Sequence, residues 1–161
     1  MLYQLILIVL GQIVISGDKE GVEEAEIYAK EAGIKKVRIL KTSGPFHTKK
    51  LIDSKEALRN ELETVEFHSF QTPVIKNLDG TIYQENDDIK EILANHIISP
   101  VQFGKGLETM LNMGIDTFIE IGPGKTLSGF VKRIPTEKEI NILHINDVES
   151  LKSAIEAIKG M

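Results

Sequence analysis

A chain of 161 residues with 19 Lys and Arg against 24 Asp and Glu, a formal charge of −5 and no cysteine is long enough to bury the core of one domain without disulfides or metals. The absence of cysteine excludes a disulfide framework, a thiolate zinc site and a cysteine nucleophile, and agrees with a reducing compartment. The acidic balance argues against nonspecific nucleic-acid binding, and the apolar run 1–10 is too short for a spanning helix, which takes about 20 residues, and lacks the pattern of a secretory signal.

In chain order, the β-branched segment 12–16 reads as a strand that breaks at Gly17-Asp18, with Asp18 placed to cap a helix. That helix is expected to carry Val22, Ala25, Ile27, Ala29 and Ala32 on a partial apolar stripe, with glutamates in its early turns and Gly33 at its C-terminal cap. Residues 36–41 alternate Val37 and Ile39 with Lys36 and Arg38, which predicts a second strand closing a β-α-β unit; the turn Thr42-Ser43-Gly44-Pro45 then delivers Phe46 and His47. A helix is predicted over 49–65, and a short strand over 72–77 that ends in a turn containing Asp79-Gly80. Helices follow over 87–98, cut off by Ser99-Pro100, and over 103–113, ended by Gly114. The strand 117–121 runs into Gly122-Pro123-Gly124-Lys125 and a short helix through Val131. A strand over 141–145 and a helix over 148–159 complete the order. Strands alternating with helices predict an α/β fold.

His47 is the leading candidate for chemistry. A Pro-stiffened turn holds it, and an imidazole of ordinary pKa, about 6.5, can take a proton from a nucleophile and return it to a leaving group. The plain alternative is a turn residue. A nucleophile is not evident: no Gly-x-Ser-x-Gly elbow occurs, and Ser16, Ser43 and Ser128 lack its strained strand-to-helix setting. Gly122-Pro123-Gly124-Lys125 resembles a phosphate cradle at a helix start, but its spacing fits neither the Walker pattern nor Gly-x-Gly-x-x-Gly, and a tight structural turn is the stronger reading. Asn77 can hydrogen-bond in an active site or simply precede a turn. His68, His96 and His144 lack metal-ligand spacing, so no metal site is expected. Lys35, Lys36, Arg38, Lys41, Lys49 and Lys50 form either a solvated face or a landing site for an acidic partner or phosphates.

The segments Gly11-Gln12-Ile13-Val14-Ile15-Ser16-Gly17, Gly44-Pro45-Phe46-His47, Pro73-Val74-Ile75-Lys76-Asn77, Ser99-Pro100-Val101-Gln102-Phe103 and Glu120 through Gly129, in this order and spacing, resemble the malonyl-CoA:acyl carrier protein transacylase family, over its C-terminal portion. The resemblance implies a partial α/β-hydrolase-like acyltransferase large subdomain with part of a ferredoxin-like small subdomain. Residues 1–10 would be a non-matching N-terminal segment, 11–42 part of the small subdomain and 43–161 the C-terminal part of the large one. It further implies transfer of a malonyl group from coenzyme A to the acyl carrier protein thiol in fatty acid biosynthesis, by a ping-pong mechanism in which His47 aligns with the catalytic histidine that activates a serine. Malonyl-CoA and acyl carrier protein are the implied substrate and partner, with cytoplasmic residence, no nucleic acid, no membrane and no cofactor.

Departures from the family pattern matter as much. Its nucleophilic serine, the arginine that pairs with the malonate carboxylate and the oxyanion-hole loop belong to the half not represented here. Where bacterial relatives commonly have a glutamine that orients the histidine through its main-chain carbonyl, this chain has His96, so His96 is implied as an orienting residue; Asn77, from its place at a strand end, stands beside it as a supporting candidate. Likeness ends abruptly at Gly11, which implies a frameshift or wrong start codon behind residues 1–10; upstream DNA without an open frame for a Gly-x-Ser-x-Gly elbow would count against it. Three readings compete: a transacylase gene product of doubtful activity, a split enzyme completed by a complementary N-terminal chain, and a non-catalytic module that binds acyl carrier protein through the basic stretch. Exposed sheet edge, exposed apolar surface and self-association are expected of such a piece.

Overall fold

The computed structural model describes residues 2–9 and 12–160. Strands β1 (Leu2–Val9) and β2 (Gln12–Gly17) pair antiparallel, with Leu5, Ile6 and Leu7 opposite Ile15, Val14 and Ile13. Helix α1 (Lys19–Glu31) follows, and Asp18 stands at its N-cap with extended backbone. The Asp18 carboxylate makes no capping bond; it pairs with Lys50 instead. Gly33, at φ +81°, lets the chain leave the helix while its own amide and that of Ile34 bond the carbonyls of Lys30 and Ala29.

The expected strand over 36–41 is absent. Residues 34–42 are irregular and Ile39 is 54% exposed, so no β-α-β unit closes here. Alternating side chains describe a segment with two faces, but a strand exists only when a neighbour completes its hydrogen bonds, and none of the described strands pairs with it. The expected strand over 72–77 likewise reduces to one bridge, Ile75 to Ile82, in a tight hairpin. The Asp79-Gly80 turn closes that hairpin, with Gly80 at φ +76° and pressed on the helix that carries Lys105 and Gly106. A Cβ at Gly80 would lie 2.5 Å from Lys105 Cβ and 2.8 Å from the Gly106 amide nitrogen, so only glycine permits this approach.

A 3-10 turn (Lys49–Leu51), capped by Thr48, leads into α2 (Ile52–Leu62), which stops short of the expected end at residue 65. The remaining elements are α3 (Ile89–Ile98), α4 (Phe103–Asn112), β3 (Thr117–Ile121), α5 (Thr126–Val131), β4 (Asn141–Ile145) and α6 (Val148–Lys159). Asp88 caps α3, and Asp147 with Ser150 forms a capping box on α6. Strands β3 and β4 run parallel, joined through α5, in the α/β manner.

The core lies where α4 and α5 meet this parallel pair. Leu107, 1% exposed, and Val131 are packed by Phe103, Phe118, Phe130 and Ile142. Parallel strands are ordinarily covered on both faces, yet here Ile121 is 78% exposed and Ile119 41%. Helix α6 also leaves Leu151, Ile155 and Ile158 exposed, a spacing that falls on one face. None of the described helices is long and apolar enough to cross a membrane.

Candidate active site

His47 sits in a turn that its neighbours clamp. The Phe46 amide donates to the Gly44 carbonyl at 2.9 Å; Thr48, fully buried, donates its hydroxyl to the Pro45 carbonyl at 2.7 Å and accepts from the Lys50 amide at 3.3 Å. Between them His47 adopts φ +59°. A left-handed backbone costs a non-glycine residue about 1–2 kcal/mol, so the clamp holds a conformation the residue would not choose alone.

The partner of the His47 ring comes from the last turn of α3. A helical carbonyl there expects the amide four residues on, which for His96 is Pro100, a residue with no N–H. Ser99 turns extended at the helix end, and its amide reaches the His96 carbonyl only at 3.4 Å. That oxygen is left able to accept the His47 Nδ1–H, at 3.0 Å. A carbonyl only accepts, so the bond places the proton of neutral His47 on Nδ1 and leaves the lone pair on Nε2, the arrangement a general base needs.

The His96 ring lies against the same group. Its centroid is 4.9 Å from that of His47, with the planes tilted 40°. His96 Nε2 is buried without a hydrogen-bond partner. Burial, and then the neighbouring His47, push the His96 pKa below the ordinary imidazole value, favouring the neutral ring.

The other candidates are dispersed. Asn77 is exposed in the hairpin turn, and it is the main-chain carbonyl that acts: it accepts the Gln102 amide at 2.8 Å, tying the hairpin to the loop after Pro100. Ser16 lies in β2, Ser43 in the bend before Gly44, and Ser128 is buried in α5. His68 is exposed, and His144 Nε2–H donates to the Gly122 carbonyl at 3.1 Å. Among the described residues no three His, Asp or Glu side chains gather to hold a metal. The phosphate-cradle reading of Gly122 to Lys125 fails for a local reason: the amides of Leu127 and Ser128 at the start of α5 donate to the Glu120 carboxylate, at 3.0 and 2.7 Å. The chain's own anion fills that position. Gly122 and Gly124, at φ +139° and +82°, serve the turn.

Two features escaped the sequence reading. Lys76 is buried, bound to Asp87 at 2.9 Å and near Asp79 at 3.5 Å, and anchors the hairpin to the start of α3. Its signal was the pair of aspartates downstream. Pro100 stops the helix, as its sequence position predicts, and its missing amide also frees the oxygen that His47 uses.

No family model matches the chain. It is 40% identical over 149 residues to the malonyl CoA-acyl carrier protein transacylase of Bacillus subtilis (strain 168), an alignment covering 92% of this chain and 46% of that protein. The crystal structure of malonyl CoA-acyl carrier protein transacylase from Clostridium perfringens superposes with a TM-score of 0.89 at 38% identity, covering 98% of this chain and 49% of the other. A malonyl-transacylase in complex with its type II PKS acyl-carrier protein gives a TM-score of 0.85 at 35% identity over 91% of this chain and 47% of the other. The chain is thus homologous, over most of its own length, to malonyl CoA-acyl carrier protein transacylases, and spans about half the length of the curated relatives it matches.

Proposed function

We propose that this chain, homologous to about half of a malonyl CoA-acyl carrier protein transacylase, carries the histidine part of a malonyl-transfer site. The observation that carries the reading is the bond from His47 Nδ1–H to the His96 carbonyl. With Nε2 as the base, His47 takes the proton of a serine hydroxyl while the serine oxygen attacks the malonyl thioester carbonyl. The tetrahedral adduct collapses, the bond to sulfur breaks, and the imidazolium returns the proton to the departing coenzyme A thiol. The second half repeats these steps in reverse order with the thiol of acyl carrier protein. The serine and a carboxylate-binding arginine come from a complementary chain. His96 orients the base through its carbonyl, and Asn77 braces the loop behind it through Gln102. In this reading 11–42 belongs to a small ferredoxin-like subdomain and 43–161 to the α/β-hydrolase-like large one, with the work done in the cytoplasm for fatty acid synthesis.

Co-expression with an N-terminal half carrying the serine elbow and the arginine, followed by a malonyl-transfer assay, tests the reading. Transfer is expected only with both chains present and is expected to be lost in His47→Ala; transfer that persists in His47→Ala overturns it. A second reading has its own observation. Lys35, Lys36, Arg38, Lys41 and Lys49, which flank the His47 turn in sequence, are all exposed, and a structural neighbour occurs with an acyl-carrier protein. In that reading the chain binds the carrier without catalysis. Salt-sensitive carrier binding with no transfer in the co-expressed pair selects it.

A further inference from the structure

One residue touches the His47 ring twice. The His96 main chain accepts its Nδ1–H at 3.0 Å, and the His96 side chain lies 4.9 Å from it, ring to ring. The carbonyl contact needs only a residue at this position with Pro100 four places on. The ring contact needs this particular side chain. It also comes at a cost, since His96 Nε2 is buried with no partner, and an orphaned buried polar atom calls for an explanation.

We propose that the His96 side chain is a positioning residue for His47: its ring walls off the Nδ1 edge of His47 and holds that nitrogen on the His96 carbonyl, so that residue 96 selects the Nδ1–H tautomer by side chain as well as by main chain. Three parts of the geometry support this. His47 starts from a strained left-handed backbone, so its ring is not aimed by backbone preference alone. A carbonyl that water could reach would compete poorly for Nδ1–H, because water can bond either ring nitrogen and free imidazole side chains favour the Nε2–H form. Tilted rings at this separation restrict rotation of His47 about its side-chain bonds. The His96 ring does this only while uncharged, and burial favours that state.

The inference deepens the reading of His47 as the base, and its test reads the ring and not the reaction. Nitrogen-15 NMR of histidine-labelled full chain separates a nitrogen bearing a proton from one bearing a lone pair, so the tautomer of His47 is measured directly, with His47→Ala for assignment. The unaltered chain is expected to show the Nδ1–H form at neutral pH. His96→Ala, which keeps the carbonyl and Pro100 and removes the ring, is expected to show a mixture in which the Nε2–H form gains. His96→Phe, a ring with no ionisable nitrogen, is expected to restore the Nδ1–H form. Should the space left by alanine disturb folding, as judged from loss of amide dispersion, His96→Leu takes its place with the same expected mixture. A His96→Ala or His96→Leu spectrum in which His47 stays wholly Nδ1–H overturns the proposal, because the carbonyl then suffices, and so does a His96→Phe spectrum that keeps the mixture. Failure of malonyl transfer in the reconstituted pair with these spectra as expected would sink the functional reading alone.

Discussion

Pro100 stands where the helix of His96 would next supply an amide, and the hydrogen it lacks leaves the His96 carbonyl to the His47 ring, 3.0 Å away. A residue known mainly for stopping helices thereby equips a residue from another part of the chain. The pairing joins positions 49 apart in sequence through an atom carried by every amino acid.

Pro100→Ala returns a donor to this oxygen. The new amide competes with His47, and one such hydrogen bond is worth about 0.5–1.5 kcal/mol net, so transfer by the reconstituted pair is expected to fall by about 2- to 10-fold. Thermal stability is expected to hold, since α3 already ends at Ser99. Unchanged turnover would show that the His96 carbonyl is not contested.

Gly80→Ala meets two obstacles at once, a left-handed backbone and Lys105 Cβ only 2.5 Å from the new methyl. Left-handed strain and overpacking together are expected to cost about 2–4 kcal/mol, seen as a lowered urea midpoint with the slope unchanged. Gly44→Ala is a useful control, because a Cβ there meets nothing within 4 Å.

Stability should fall on acidification through His96. Burial, and then nearby His47, keep its folded pKa below the ordinary value. The unfolded chain takes up this proton at about pH 6.5 and the folded chain only at lower pH. The contribution is therefore complete above about pH 6.5, is lost as the pH falls toward the folded value, and levels off below it. Urea midpoints measured between about pH 7 and about pH 5 are expected to decline less steeply in His96→Gln than in the unaltered chain. Parallel declines would remove His96 as the cause.

The open parallel pair and the outer face of α6 predict self-association. Ile119, Ile121, Leu151, Ile155 and Ile158 present apolar surface to water. Sedimentation is expected to show mass rising with concentration, and Ile121→Lys, at the most exposed of these positions, to reduce it. A monodisperse, cooperatively unfolding monomer would contradict this.

How much was legible follows from where each signal resides. Strands 117–121 and 141–145 and the helix 148–159 stand as read, and the helices over 87–98 and 103–113 within two residues, because Asp88, Ser99-Pro100, Gly114 and the Asp147 box act on their own neighbours. Residues 36–41 have strand-like alternation and are not a strand, since a strand's hydrogen bonds belong to a partner. Asp18 looked like a cap and sits like one, yet its carboxylate goes to Lys50, a distant competitor.

By itself the sequence determined the α/β alternation from residue 87 onward, the ends of the helices there, the turn that presents His47 and the likeness to a transacylase, all of which rest on local chemistry or on ordered motifs. Only the tertiary structure decided which atom meets the His47 ring, that a second imidazole lies against it, that Glu120 occupies the start of α5 and that the Gly80 turn is pressed on α4. The physical reason is common to all of these. A helix cap or a turn is settled within a few residues, whereas the proton on His47 is placed by a carbonyl that becomes available only when a helix ends in the right place and packs against the turn.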